Sequence, residues 1–162
     1  MSLSSLVTRI ADRTRAPLAV GADLLDLGLR IYVGKVFFMS GLVKIRDWDS
    51  TLALFSDEYH VPLLPPPVAA VLGTFGELAF PIFLVLGLGT RFAALVLSFV
   101  NVMAVVSYWH VLSTLEPALA QHFFWGTLLL VILFHGPGRI SVDHLLARWF
   151  GTAPIAPAPA RT

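Results

Sequence analysis

Four apolar stretches, residues 24–43, 68–88, 92–109 and 119–135, constrain this chain more than any other feature. An α-helix needs about 17–20 residues to cross the hydrocarbon core of a bilayer. Three stretches have that length and the fourth reaches it with its flanks. Each also carries a polar or small interruption near its middle: Lys35, Glu77, Asn101 and the Gly126-Thr127 pair. An ionisable group at mid-membrane costs about 2.5–3.5 kcal/mol on insertion scales, so it marks a functional site or a structural pair. The expected fold is therefore all-α and integral to a membrane. It is a left-handed four-transmembrane-helix bundle with short interfacial helices.

Composition narrows the chemistry. Hydrophobic residues make up 57% of the 162 positions and charged residues only 13%, too apolar for an ordinary soluble domain. A net charge of +1 gives no footprint for nucleic acid. The chain has no cysteine, which excludes disulfides, iron–sulfur ligation and thiol catalysis by its own residues. Nothing in it resembles a nucleophile elbow, a phosphate loop or a dinucleotide fingerprint, so no reaction is assigned.

Charge sidedness predicts topology. Four spans would leave Arg9, Arg13, Arg15, Arg91, Arg139, Arg148 and Arg161 on one face, and only Lys44 and Arg46 in the loops of the other. Seven against two places both termini in the cytoplasm. Residues 1–23 form a cytoplasmic amphipathic segment, with a surface helix expected to end at Pro17. Its Arg-led start lacks a clean cleavage site and is expected to stay uncleaved. Residues 24–146 form the membrane domain. Residues 147–162 hold the end of a short surface helix capped by Ser141, followed by a disordered Ala/Pro tail.

Between the first two spans, Trp48, Thr51, Leu52, Phe55 and Tyr59 recur at helical spacing and predict an interfacial helix. The proline-rich run 61–67 that follows is expected to be an extended strap. Gly34 and Gly41 lie on a face with Arg30 and Lys44 that belongs against another helix. In the second span, Pro81 has no N–H for the carbonyl of Glu77.

Two constellations are candidate sites. The first is the intramembrane set Arg30, Lys35, Glu77 and Asn101. Counting from the helix ends places Lys35 and Glu77 at nearly equal depth, with Arg30 about 7 Å away along the axis. Such a set either fixes helix register as a buried pair or exchanges a proton and holds a polar headgroup. Asp26 and Arg30 are also spaced for an intrahelical pair. The second set is Asp57, Glu58, His60, His110, Glu116 and His122 near the outer surface, side chains of the types that ligate metals. No close His spacing supports a metal or haem there.

Arg30, the run Phe37-Phe38-Met39-Ser40-Gly41-Leu42-Val43-Lys44, Gly76-Glu77-Leu78 with Pro81, and Gly87-Leu88-Gly89-Thr90-Arg91-Phe92-Ala93-Ala94 resemble the DoxX family, as does Gly136-Pro137-Gly138-Arg139-Ile140-Ser141-Val142-Asp143. The resemblance covers about residues 28–146. It implies a multi-pass protein of the bacterial inner membrane, and it carries the family's polar positions onto Arg30, Lys44, Glu77 and Arg91. Lys35 stands where that pattern has an apolar or aromatic residue. The implied role is a membrane subunit of a redox or stress-response system, quinone-linked and in contact with the bilayer and with soluble or membrane redox partners. A proton-coupled small transporter, or a non-catalytic scaffold beside metal-stress or metal-binding-peptide systems, is the alternative. Quinone is the cofactor the resemblance suggests, with haem or metal the weaker prospect.

Overall fold

The computed structural model describes residues 3–151, with side chains from residue 17 onward. The side-chain pattern of residues 1–16 and the Ala/Pro tail of residues 152–162 lie outside the described part. Among the described residues there are seven helices and no strand: α1 Leu3–Arg46, α2 Trp48–Asp57, α3 Pro66–Leu86, α4 Thr90–Ser107, α5 Trp109–Leu112, α6 Glu116–His135 and α7 Val142–Trp149. Helices α3, α4 and α6 are each long and apolar enough to cross a membrane. Helix α1 covers the first apolar stretch but carries Asp26, Arg30 and Lys35 within it.

The four long helices close a ring in which α1 and α4 each contact both α3 and α6. Small residues set the α1–α3 contact. A Cβ on Gly34 would meet Val85 Cγ2 at 2.6 Å, and one on Gly41 would meet Leu78 at 2.8 Å. Glycine permits this close approach, and a larger residue would force the Val85 or Leu78 side chain to shift. Around it Val33, Phe37, Leu84, Ala93, Ala94, Leu97, Leu129 and Ile132 form the buried core. Large apolar side chains such as Phe75, Phe99 and Phe134 face outward, exposed by 60%, 65% and 78%. That inversion of a soluble protein's pattern suits a lipid surround.

Helix α2 forms as its spacing predicts. Asp47 caps it, accepting from the Ser50 N–H at 3.0 Å and the Ser50 hydroxyl at 2.6 Å. Its Phe55 packs against Ala69 and Ala70 of α3, with Trp48, Leu52, Tyr59 and Val61 around them.

Three expectations need correction. Helix α1 runs through Pro17 instead of ending there. A proline removes one donor from the ladder, and the bonds on either side carry the helix past it. The extended strap stops short of residue 67, because Pro66 and Pro67 occupy the first helical positions of α3. Their missing N–H groups would have had no intrahelical partner there anyway. Leu63 turns the preceding segment at φ 66°. Finally, Arg30 forms no direct ion pair with the Asp26 carboxylate, although the two charges still attract at longer range. Its Nε donates to the Asp26 backbone carbonyl at 3.4 Å, while Asp26 Oδ2 lies 3.4 Å from His135 Nε2.

Helix α7 folds back beneath the α3–α4 turn. Ser141 caps it, accepting from the His144 N–H at 3.2 Å. Asp143 in turn accepts from the Gly89 N–H at 2.8 Å, the Thr90 N–H at 2.9 Å and the Thr90 hydroxyl at 2.9 Å. A carboxylate far along the chain thus satisfies the first orphan donors of α4.

Candidate functional site

Beside the core, toward the α2 end of the ring, lies a cavity of about 1040 Å³ walled by α1, α3, α4 and α6 and by the segment after α2. Its lining is mostly apolar and includes Phe37, Phe55, Phe80, Val100 and Trp125. The outward-facing Met39, Phe75 and Phe99 also belong to it, so the cavity reaches the surface that faces lipid. Few polar side chains enter it: Ser40, Lys44, Tyr59, Glu77, Ser107, Tyr108 and His122. An apolar chamber with a handful of convergent polar groups is the usual form of a small-molecule site.

The central contact joins Lys44 Nζ to Glu77 Oε2 at 2.6 Å, with both side chains largely buried. Lys44 also donates to Ser40 Oγ at 2.9 Å. Side chains on a helix lean toward its N-terminus, so Lys44 folds back over the preceding turn, away from the loop it borders. An ammonium has three donors. Glu77 and Ser40 take two, and the third has no partner among the described residues.

Across the chamber, Asn101 of α4 binds His122 of α6 twice. Asn101 Nδ2 donates to the His122 carbonyl at 3.0 Å, and Asn101 Oδ1 meets His122 Nδ1 at 2.9 Å. Gly126 makes room, since a Cβ there would sit 3.1 Å from Asn101 Nδ2. Also lining the chamber, Tyr59 stacks edge-on against Phe55 and Tyr108, each at 4.9 Å between ring centres. Burial, aided by the nearby Tyr108, Glu77 and Glu58, pushes the Tyr59 hydroxyl up to about 12, so it stays protonated. Tyr108 donates to Glu58 at 2.8 Å, and that bond raises its pKa as well.

The residues expected to share one site are therefore divided. Glu77 is paired as an intramembrane acid should be, but with Lys44 and not with Lys35 or Arg30. Lys35 is exposed. Nine residues separate it from Lys44, which at 3.6 residues per turn points the two about 180° apart. Arg30 is 1% exposed and serves the opposite end. It donates to the carbonyls of Asp26 and Val85 and, through Nη2, of Ile140. Gly41 abuts Glu77, and Arg30 precedes Gly41 by eleven residues, about 16 Å along the helix. Asn101 lies in the cavity half, but its partner is His122.

Nor does the outer set gather. The His60 and His110 rings pack at 5.0 Å, Glu58 is held by Tyr108, and His122 belongs to Asn101. Among the described residues, no three His or acidic side chains, Asp57 included, converge as a metal site would require. Lys44 is the residue that hydropathy counting missed, because it stands at a span's edge. Its signal was Ser40 one turn earlier, together with the motif that carried it over.

The family model described as DoxX matches residues 25–110. An uncharacterized protein of Haemophilus influenzae is 27% identical over 143 residues, covering 82% of this chain and 90% of its own. No solved structure matches this chain.

Proposed function

The chain belongs to the DoxX family of membrane proteins, and from that premise we propose that it is a four-span bacterial inner-membrane subunit holding a quinone-type redox carrier in the cavity beside Lys44 and Glu77. Helix α1 is the fourth span, supported by its place in a ring where each long helix has two neighbours. The seven-to-two Lys/Arg asymmetry supports cytoplasmic termini.

The observation that carries the ligand reading is the Lys44–Glu77 pair in the wall of a largely apolar chamber open to lipid. About 1040 Å³ accommodates a quinone ring with the start of its isoprenoid tail, against the roughly 300–1,000 Å³ typical of small-molecule pockets. When bound, the quinone would supply two-electron redox chemistry to a partner subunit. The chain's own residues would bind, orient and manage protons. The third Lys44 donor would hydrogen-bond a headgroup oxygen, Ser40 would fix the direction of the ammonium, and Glu77 would balance its charge. Removed from water, such donors act more strongly than at a surface. Tyr59, whose pKa is raised by burial, would be a neutral polar group in the chamber wall.

Purification in mild detergent followed by lipid extraction tests this. The wild-type protein is expected to carry about one quinone per chain. Lys44→Met and Glu77→Gln are expected to lose it while remaining folded and membrane-inserted. A quinone-free wild type that takes up no added quinone overturns the reading, and so does full retention by both variants.

A further inference from the structure

His122 brings a polar group to the cavity that the Lys44–Glu77 pair does not explain. Its two contacts with Asn101 fix more than its position. Only one orientation of the Asn101 amide makes both of them hydrogen bonds. The Nδ2 group donates to the His122 carbonyl at 3.0 Å, which leaves Oδ1 facing His122 Nδ1 at 2.9 Å. Reversing the amide would set two oxygens against each other. Because Oδ1 can only accept, Nδ1 must carry the imidazole proton. In a neutral imidazole the other nitrogen is then a bare acceptor. Nε2 has no hydrogen-bond partner among the described residues, and His122 lines the cavity. The Trp125 ring packs edge-on at 5.2 Å and restricts the imidazole further.

We infer that His122 is a ligand-binding residue whose Nε2 accepts a hydrogen bond from a hydroxyl group, so that the cavity selects a membrane-soluble phenol or quinol-type molecule over its hydroxyl-free counterpart. The inference rests on the cavity being a ligand site and supplies the chemistry of its second polar contact. Lys44 offers a donor and His122 an acceptor, so the fitting ligand has an acceptor at one polar point and a hydroxyl at another. An acceptor on the wall of a largely apolar chamber discriminates, because a ligand without a hydroxyl leaves it unpaired.

Two redox-inert probes test this on the full-length protein in detergent with [15N]histidine: para-nonylphenol and its methyl ether. Nitrogen NMR of the free protein is expected to show a proton on His122 Nδ1 and a bare Nε2, the resonance being assigned by its absence in His122→Phe. The phenol is expected to move the Nε2 resonance and the ether to leave it in place. The phenol should also bind about tenfold more tightly, the value of one such hydrogen bond. His122→Phe should erase that preference, and Asn101→Leu should release the tautomer. Should either variant not fold, the two probes on wild-type protein decide alone. Equal affinity for both probes, or a proton on Nε2, overturns the inference. If quinone copurifies but the probes are not distinguished, this inference fails and the proposed function stands. If the phenol binds through His122 and no quinone is ever found, the reverse holds.

Discussion

At the end of the bundle near the α3–α4 turn, Arg30 donates to the carbonyls of Asp26, Val85 and Ile140, and Asp143 accepts three hydrogen bonds from Gly89 and Thr90. At the α2 end, one Lys44 donor, His122 Nε2 and the buried Thr74 hydroxyl have no partner among the described residues. Both ends hold charged and polar side chains within the bundle. What differs is that every side-chain nitrogen and oxygen of Arg30 and Asp143 meets a protein partner, whereas His122 Nε2, on a residue lining the chamber, meets none among the described residues. A saturated network rigidifies and specifies a structure, whereas an unsaturated one is costly unless something else completes it. The first end therefore has the character of a fastening and the second that of a site.

That contrast breaks most directly by comparing Arg30→Met with Glu77→Gln. Removing Arg30 leaves carbonyls that lose a charged donor in a buried position, at a cost of at least about 3 kcal/mol. Glu77→Gln keeps an oxygen near Lys44, and Ser40 still accepts from the ammonium, but the counter-charge is gone, so a smaller loss of about 1.5–3 kcal/mol is expected. Reversible unfolding in mixed micelles measures both. If the Glu77 variant is as unstable as the Arg30 variant, the Lys44–Glu77 pair is a structural clamp and the two ends are alike.

Asp143→Ala makes a smaller change at the fastening. It strips the carboxylate from the first turn of α4, and capping groups of this kind contribute about 1–2 kcal/mol. The expected result is a lower melting temperature, with faster amide exchange at Gly89 and Thr90 and unchanged ligand content. Lost ligand with those amides still protected would mean that the two ends are coupled.

How far the sequence reveals this division depends on the range of the contacts. Helices α3, α4 and α6 follow from long, mostly apolar runs, and α2 follows from the spacing of Thr51 and Phe55. Gly34 and Gly41 could be placed against a partner helix because small residues seven apart share a face. The importance of Glu77 was legible from the cost of an acid in lipid. Its partner was not. Choosing among Arg30, Lys35 and Lys44 requires the rotation of α1 and its register against α3, both set by the glycine contacts with Leu78 and Val85. Arg30 could not be matched with Ile140 at all, since that contact spans 110 residues. Asn101 and His122 were each visible, one in the intramembrane polar set and the other among metal-ligand types. Their pairing needed the α4–α6 packing that Gly126 allows.

The smallest effect concerns Thr74, one turn before Glu77 on α3. It is buried, and its hydroxyl finds no partner among the described residues. Valine has nearly the same shape and no polar atom, so Thr74→Val removes a desolvated hydroxyl without opening a void. If the hydroxyl is unmatched in solution too, the variant should gain up to about 1 kcal/mol, read as a higher melting temperature with quinone content unchanged. A loss of stability would instead mean that something completes the hydroxyl. Measuring the variant stripped of lipid and again with quinone restored would then identify it. A penalty confined to the loaded protein would extend the site by one turn of α3. A penalty in both states would assign Thr74 to the fold and move the boundary between fastening and site closer to Glu77.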